Sequence, residues 1–494
     1  MKFVSTRNKK NVCRAGQSIL QGISRDGGLF VPCIFPKVEN LDLLINMDYK
    51  EIALFIMGSF FSELDMEYLR ESIDLAYDDK FQNREITPLV DVGEVSFLEL
   101  YHGPTLAFKD MALCLLPYLI NGAKEIEDIE QEILILTATS GDTGKAALEG
   151  FANVDGIKIM VFYPENGVSE VQKIQMITQE GDNTFVVGVK GNFDDAQSGV
   201  KAIFNDEKLN RYLEENNYIL SSANSINIGR LIPQIVYYFY TYINLLKRNS
   251  IKKNEAINIV VPTGNFGNIL AAYYAKQMGV PINKLICASN ENNVLVEFLN
   301  KGIYDKRREL ILTSSPSMDI LISSNLERLI FHLSGEDDKL VSNKMRELME
   351  DGHYEIDGLA IQDFYANYAV EEDITQEIEY LFHRYNYLID PHTAVAYSVY
   401  KKYLEETRDK TRTVIVSTAS PFKFGSKVAS SIGIDIEGKD EFTILEELSE
   451  RSGIDMPLNI RSLKNKPIIH KDIVDRDGME DMLKKFLNIG DVYD

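Results

Sequence analysis

Short, continuously apolar runs alternate with helical patterns through the middle of the chain. Runs of this kind, without a polar residue at every second position, are typical of parallel strands that helices cover on both faces. The alternation of strand, loop and helix therefore predicts an α/β fold with parallel sheets. The predicted strands are Glu132–Leu136, Ile157–Phe162, Phe185–Val189, Ile257–Val261, Leu285–Ala288 and Arg412–Ser417.

The two ends of the chain follow a different pattern. Residues Ser24–Pro32 predict a turn and then a strand, and the apolar Ile52–Phe61 predicts a packed helix. Residues Gly335–Leu388 read as helix-rich, and the tail from about Ile434 reads as charged helix and loop.

Composition narrows the class of protein. The 494 residues, at roughly 150 per domain, indicate about three domains or subdomains, and 45% hydrophobic with 26% charged residues is ordinary for a globular protein. The net charge of -23 disfavours nucleic acids and anionic membranes as partners. An anionic small-molecule substrate would need a local cationic or amide-lined pocket.

The four cysteines are far apart and form no CxxC pair. We therefore expect neither a metal site nor a disulfide framework, and free cysteines fit a reducing compartment. The first residues lack the apolar core of a secretory signal, and no stretch reaches the ~20 apolar residues of a membrane helix. These observations predict a cytoplasmic protein.

One loop between a strand and a helix is a candidate phosphate site. In parallel α/β sheets, ligands lie outside the carboxyl ends of strands. The loop PTGNFGN, Pro262–Asn268, could hold a phosphate on the amides of the next helix. An ordinary glycine turn is about equally good as an explanation.

Two further loops carry hydroxyl groups at strand ends. The loop TSGDTG, Thr139–Gly144, could bind a carboxylate or a phosphate, although helix capping by Ser140, Asp142 or Thr143 explains it more simply. In STASP, Ser417–Pro421, Thr418 would present a hydroxyl, which at a strand end is commonly structural.

Lys109 follows an apolar stretch and begins a helical run. A lysine among apolar side chains has a lowered pKa and can form a Schiff base. A surface lysine paired with Asp110 is the commoner case.

Taken together, several segments resemble the threonine synthase family of pyridoxal-phosphate enzymes. They occur in the family's order from residue 3 to about 424, which makes chance agreement implausible although each alone is weak. The segments are FVSTR, DGGLFVP, HGPTLAFKD, ATSGDTGKAA, PENGVSEVQKIQM, GNFDDAQ, ANSINIGR, VPTGNFGN, SPSMDI and IDPHTAVA.

The resemblance implies a fold of type II, with two parallel-sheet α/β domains and pyridoxal 5'-phosphate between them, plus an N-terminal subdomain. The implied boundaries are residues 1–95 for the N-terminal subdomain, 96–240 for the domain with the Schiff-base lysine, 241–430 for the domain with the phosphate loop and a helical insertion, and 431–494 for a C-terminal extension. A monomer and a homodimer both fit.

The implied reaction, the last step of threonine biosynthesis, converts O-phospho-L-homoserine and water into L-threonine and phosphate. It proceeds by γ-elimination and β-addition of water. The resemblance assigns the Schiff base and proton transfer to Lys109, and the pyridine nitrogen to Thr418. It assigns the substrate phosphate to Arg230, with Lys145 as an alternative, and substrate orientation to Asn227. The cofactor phosphate is assigned to Gly264, Asn265, Phe266, Gly267 and Asn268, and the substrate carboxylate to Ser140, Gly141, Asp142, Thr143 and Gly144.

The chain departs from the family in one late segment. Thr418–Phe424 reads TASPFKF where the family usually has TAHPAKF, so Ser420 and Phe422 replace His and Ala. This departure leaves open a related phospho-lyase that releases 2-oxobutyrate, ammonia and phosphate. A non-catalytic binding protein on the same fold is a further hypothesis, which the preserved lysine, glycine loop and Thr418 disfavour.

Overall fold

A computed structural model describes residues 1–139, 141–165, 168–359 and 361–490. Its strands are β1 Lys2–Ser5, β2 Val12–Arg14, β3 Phe30–Pro32, β4 Leu89–Val92, β5 Val95–Glu99, β6 Glu132–Ala138, β7 Ile157–Pro164, β8 Thr184–Val189, β9 Tyr218–Ser221, β10 Ile257–Pro262, β11 Ile282–Ser289, β12 Ile303–Asp305, β13 His353–Glu355, β14 Phe364–Tyr368, β15 Thr413–Ser417 and β16 Ile473–Val474.

Helices occupy most of the remaining chain. They are α1 Ala15–Gln21, α2 Tyr49–Phe60, α3 Met66–Ala76, α4 Asp110–Leu113, α5 Leu116–Ile126, α6 Asp142–Phe151, α7 Glu170–Ile177, α8 Phe193–Asn205, α9 Glu207–Glu215, α10 Ile228–Leu231, α11 Pro233–Lys247, α12 Gly267–Met278, α13 Val294–Lys301, α14 Leu326–Leu333, α15 Asp338–Glu350, α16 Glu371–Tyr385, α17 Pro391–Thr407, α18 Gly425–Ser431, α19 Glu441–Ser452, α20 Leu458–Arg461 and α21 Met479–Leu487. Short 3₁₀ helices lie at Leu41–Leu44, Pro316–Met318, Pro421–Phe424, Ser462–Asn465 and Arg476–Gly478.

Two sheets organise the described part of the chain. The larger has the strand order β14-β11-β10-β15-β5-β4 and is parallel except for β4, which runs antiparallel to β5. The smaller has the order β16-β8-β7-β6-β9 and is parallel throughout. Every residue of β10 and β15 is buried, as expected for strands that are covered on both faces. The predicted α/β class with parallel sheets is confirmed.

The N-terminal segment forms its own three-stranded antiparallel sheet, β2-β1-β3. It is tied to α14 by the ion pair between Arg7 and Glu327 at 2.7 Å and by Arg328 Nε, which donates to the Phe30 carbonyl at 2.9 Å. The domain boundaries at residues 95, 240 and 430 stay a prediction. None of the helices in the described ranges is long and apolar enough to cross a membrane.

The six predicted strands are present, with ends that differ by at most three residues. The helix-rich interpretation of Gly335–Leu388 was incomplete, because β14 lies inside it and forms one edge of the larger sheet. Only Phe364 and Ala366 are buried in this strand, so its five residues carry too little apolar pattern to be distinguished from a loop.

Candidate active site

Lys109 stands immediately before α4, and its side chain is 11% exposed. The Nζ atom lies 3.5 Å from Asp142 Oδ2 and donates to Ser317 Oγ at 3.2 Å. Asp110, its neighbour in sequence, instead accepts from the amide and the hydroxyl of Thr105 at 2.8 and 2.6 Å. The structure therefore excludes the alternative that Lys109 is a surface lysine paired with Asp110.

The surroundings of Lys109 favour the neutral amine. Burial lowers the pKa of Lys109 below its ordinary value, and the positive charges of Lys423 and Arg230 lower it further, whereas Asp142 opposes them. A lysine must lose its proton before it can act as a nucleophile or a base. This environment therefore suits covalent attachment of an aldehyde and proton transfer.

The Asp142 carboxylate bridges two lysines. Its Oδ1 atom lies 3.0 Å from Nζ of Lys423, a fully buried side chain, and accepts from Gln172 Nε2 at 2.7 Å. Burial alone would raise the pKa of Asp142, but the charges of Lys423 and Lys109 outweigh burial and hold that pKa well below its usual range. The site thus contains one ionised carboxylate between two amines.

The glycine turn, residues 264–268, follows β10 and includes the first two residues of α12. Phe266 adopts the left-handed conformation with φ 62°, directly before α12 begins at Gly267. A Cβ atom at Gly264 would lie 2.5 Å from the Ser317 carbonyl oxygen, so only glycine fits that close approach. A Cβ atom at Gly267 would meet nothing nearer than 3.6 Å, which leaves the start of α12 open.

Asn268 ends the turn with an unsatisfied donor. Its Oδ1 atom accepts from the hydroxyls of Tyr237, at 2.7 Å, and Tyr238. The buried Nδ2 atom has no partner in the described chain. An open helix start and a free amide donor fit the phosphate group of pyridoxal phosphate.

Thr418 lies at the end of β15 and is 5% exposed. Its carbonyl oxygen accepts from the Phe108 amide at 2.9 Å, which places Thr418 beside the residue that precedes Lys109. Within the described ranges the Thr418 hydroxyl takes part in no hydrogen bond. A hydroxyl that no neighbouring group uses is available to a pyridine nitrogen.

Arg230 is buried on α10 without a carboxylate partner in the described chain. Its Nη1 atom donates to the Ala223 carbonyl at 2.9 Å, and its Nε atom has no partner. Burial lowers the pKa of Arg230 to about 10, so the guanidinium remains charged at neutral pH. An uncompensated buried cation is costly unless an anion binds beside it.

Asn227 and Lys145, two further predicted site residues, have hydrogen-bond or ion-pair partners within the protein. The amide of Asn227 has one partner at each end, with Oδ1 accepting from the Gly229 amide and Nδ2 donating to the Ile19 carbonyl, both at 2.9 Å. Asn227 thus positions α10, and the substrate contact expected of it stays a prediction. Lys145 is paired with Glu149 at 3.0 Å, so the structure gives no support to Lys145 as the phosphate partner.

The loop before α6 is held by one threonine. The hydroxyl of Thr139 accepts from the amides of Gly141 and Gly144 at 3.0 and 2.9 Å. The N-cap position of α6 is Gly141, so the hydroxyl that binds these amides comes from Thr139 and not from Asp142 or Thr143, two of the caps that the sequence allowed. Ser140, a predicted substrate contact, lies outside the described residues.

Sequence reasoning missed four residues at this site: Ser317, Lys423, Gln172 and His392. His392 lies between Asp390, whose Oδ2 is 2.7 Å from its Nδ1, and the Ser317 amide, which is 3.3 Å from its Nε2. Ser317, Gln172 and His392 lie inside segments that resemble the family, and Lys423 lies in the late segment that departs from it. Those segments were the available signal, because no local periodicity marks a contact between residues so far apart in the chain.

Comparison with known proteins agrees with this geometry. The family model described as "Pyridoxal-phosphate dependent enzyme" matches residues 81–419. The lysine, glycine turn and free hydroxyl on two parallel sheets therefore define a pyridoxal-phosphate enzyme of fold type II, and the cofactor is pyridoxal 5'-phosphate. Models described as "Threonine synthase N terminus" and "Threonine synthase, C-terminal" match residues 2–77 and 393–463. The chain belongs to the threonine synthase family.

Individual relatives cover nearly the whole chain. Threonine synthase of Saccharomyces cerevisiae is 35% identical, over 88% of this chain and 90% of its own. Threonine synthase-like 1 of Macaca fascicularis is 37% identical over 98% of this chain, which spans 66% of that longer relative. The solved structure of PLP-bound threonine synthase from Brucella melitensis has a TM-score of 0.87 at 33% identity, covering 99% of this chain and 98% of its own. The yeast enzyme structure has a TM-score of 0.88 at 31% identity, covering 99% of both chains.

Proposed function

We propose that the protein is a threonine synthase, which converts O-phospho-L-homoserine and water into L-threonine and phosphate. The observation that carries this proposal is the buried guanidinium of Arg230, a free cation whose charge lowers the pKa of Lys109. The amino end of this substrate needs the cofactor that a reactive lysine holds. Its phosphate end needs a cation of its own. Lys109 and Arg230 supply this combination in a protein that is otherwise acidic.

The cofactor would be held by the residues already described. Lys109 would carry it covalently, the amides of Gly264, Asn265, Phe266, Gly267 and Asn268 would receive its phosphate, and the Thr418 hydroxyl would meet its ring nitrogen. When bound, pyridoxal phosphate withdraws electrons from the substrate, which makes protons near its amino group removable.

Lys109 would act as the base and acid of the reaction. Its amine, free once the substrate occupies the cofactor, would take a proton from Cα, and the resulting ammonium would return that proton to a carbon in a later step. Asp142 stabilises the ammonium through charge, and Ser317 orients Nζ through its hydroxyl. The lowered pKa of Lys109 makes its neutral amine easier to reach than that of an exposed lysine.

The phosphate and the carboxylate of the substrate would be bound at two different places. Arg230 would bind the phosphate that leaves from Cγ, where a fixed positive charge stabilises the departing anion. The segment of Gly141, Asp142, Thr143 and Gly144 would receive the carboxylate through the amides of Asp142 and Thr143, because the amides of Gly141 and Gly144 already donate to the Thr139 hydroxyl. The Asp142 side chain, which faces Lys109 and Lys423, takes no part in that contact.

A phospho-lyase that releases 2-oxobutyrate is the second candidate, because the relatives include threonine synthase-like 1 as well as threonine synthases. Ser420 replaces the usual His of the family and so leaves this candidate open. Its hydroxyl accepts from the Phe422 amide at 3.4 Å within the same turn. Turnover of O-phospho-L-homoserine with quantification of products separates the two. We expect threonine and phosphate in equal amounts; 2-oxobutyrate and ammonia as the main products would establish the lyase.

A further inference from the structure

A second cavity, of about 270 Å³, lies between α6, α7 and the segment Leu458–Lys466 that follows α19. Neither Lys109 nor the glycine turn is among the described residues that line it. Its volume is slightly below the range of pockets for drug-sized ligands, which suits a small metabolite.

Charges of both signs surround this cavity. Lys145, buried and paired with Glu149 at 3.0 Å, forms part of the wall. Lys80 and Lys466 are exposed residues of the lining. Lys466 has no ion-pair partner within the described ranges, and Lys80 reaches Asp78 only at 4.0 Å. The lining of the cavity thus combines exposed ammonium groups with the Glu149 carboxylate.

Gln175 adds a buried acceptor that lacks a donor. The residue is 2% exposed and lines the cavity, and its Oε1 atom has no hydrogen-bond partner in the described chain. A buried carbonyl oxygen without a donor is costly, so this position favours a ligand that brings an N–H group.

We propose that this cavity binds a free α-amino acid. The ligand's carboxylate pairs with Lys466 and Lys80, and its ammonium group donates to Gln175 Oε1 and pairs with Glu149. Pro104 and Leu463 supply apolar wall for a side chain of modest size. A simple anion is a poorer occupant, because it would leave Gln175 unpaired and would lie near the Glu149 carboxylate.

The cavity shares two helices with the site around Lys109. Asp142 and Lys145 lie one turn apart on α6, as Gln172 and Gln175 do on α7, and Gln172 donates to Asp142 at 2.7 Å. An amino acid held between Lys145 and Gln175 therefore contacts the same two helices that hold the Asp142 carboxylate.

The test uses holoenzyme whose cofactor has been fixed to its lysine by borohydride, so that amino acids cannot react there. Equilibrium dialysis measures the binding of labelled glycine, L-threonine and L-leucine, with propionate, propylamine and inorganic phosphate as single-charge probes. Because the measurement involves no turnover, its outcome does not depend on the proposed function.

We expect saturable binding of at least one amino acid at one per chain, and weaker binding of every single-charge probe. Lys466→Glu should weaken amino-acid affinity at least about tenfold through like-charge repulsion. Gln175→Leu should weaken it by removing the acceptor. Lys471→Glu makes the same charge change outside the cavity and should leave the affinity unchanged. Absence of amino-acid binding, equal binding of propionate or phosphate, or an unaltered affinity in Lys466→Glu would overturn the proposal.

Discussion

The Nζ atom of Lys109 lies 3.2 Å from the hydroxyl of Ser317, 208 residues further along the chain. The same hydroxyl lies 3.1 Å from Asp142 Oδ2, and the Ser317 amide lies 3.3 Å from His392 Nε2. The Ser317 carbonyl oxygen occupies the space where Gly264 would carry a Cβ atom. One serine therefore joins the lysine, the first residue of α6 and the glycine turn.

We expect Ser317→Ala to reduce kcat by up to about 100-fold, because Lys109 Nζ loses the hydroxyl that orients it. The cofactor should still bind, since the main-chain contacts of Ser317 remain, and the visible absorbance of the holoenzyme should persist. Steady-state kinetics with O-phospho-L-homoserine and an absorbance scan check both statements. Ser314→Ala is the matched control, because that hydroxyl bonds Glu371. Equal kinetics for Ser317→Ala and wild type would contradict the role.

Arg230→Ala should raise KM for O-phospho-L-homoserine by roughly 10- to 100-fold, the effect of losing a hydrogen bond to a charged group. The free Nε atom and the absence of a carboxylate partner in the described chain are the basis of this expectation. Arg211→Ala, on the exposed face of α9, removes the same charge away from the site and should leave KM unaltered. An unchanged KM in Arg230→Ala would remove Arg230 from phosphate binding.

Thr418→Ala should change the absorbance of the bound cofactor and lower kcat, because the hydroxyl next to the ring nitrogen is lost. Thr418→Ser retains a hydroxyl at the same place and should restore most of both properties. The two variants are compared by absorbance spectra and by kcat at saturating substrate. If Thr418→Ala and Thr418→Ser behave alike, the hydroxyl is not the ring's partner.

The stability of the folded chain should fall as the pH drops below about 6.5. Burial, with the charge of Arg328, lowers the pKa of His332 from 6.5 to about 3. Between those values the unfolded chain binds a proton that the folded chain does not, so acid favours unfolding. In urea denaturation at pH near 7.5 and near 5, His332 should lower the free energy of unfolding by roughly 1–2 kcal/mol at the lower pH.

His332→Gln should reduce that pH dependence, whereas His383→Gln, at the exposed end of α16, should not. The Tyr274 hydroxyl lies 3.0 Å from Nε2 of His332, and a glutamine at position 332 can keep a polar contact there. A pH dependence that is identical in wild type and His332→Gln would show that His332 is not responsible.

The strands and three of the site's loops could be predicted from the sequence because their signals are local. An apolar run such as residues 257–261 predicts a buried strand, and glycines after a strand predict a turn that opens toward a ligand. Local pattern gave little support for Lys109 as a buried, reactive lysine, because most lysines are exposed. The resemblance to a family, carried by many ordered segments, provided the assignment.

The partners of Lys109 could not be predicted in the same way. Asp142, Ser317 and Lys423 meet it through the packing of two sheets, and sequence spacing contains no information on that packing. For the same reason no pattern in the sequence indicated that the Asn227 amide bonds to the Ile19 carbonyl and the Gly229 amide. β14 was missed because an edge strand with two buried residues carries little pattern.

Two buried lysines contact the Asp142 carboxylate, and the account requires that Lys109, not Lys423, carries the cofactor. The direct measurement is borohydride reduction of the holoenzyme followed by peptide mass mapping, with the absorbance at roughly 410–430 nm followed in parallel. We predict one phosphopyridoxyl group per chain, on the peptide that contains Lys109, and loss of the absorbance band in Lys109→Ala. A label on Lys423 or on any other lysine, or an intact band in Lys109→Ala, would contradict the account.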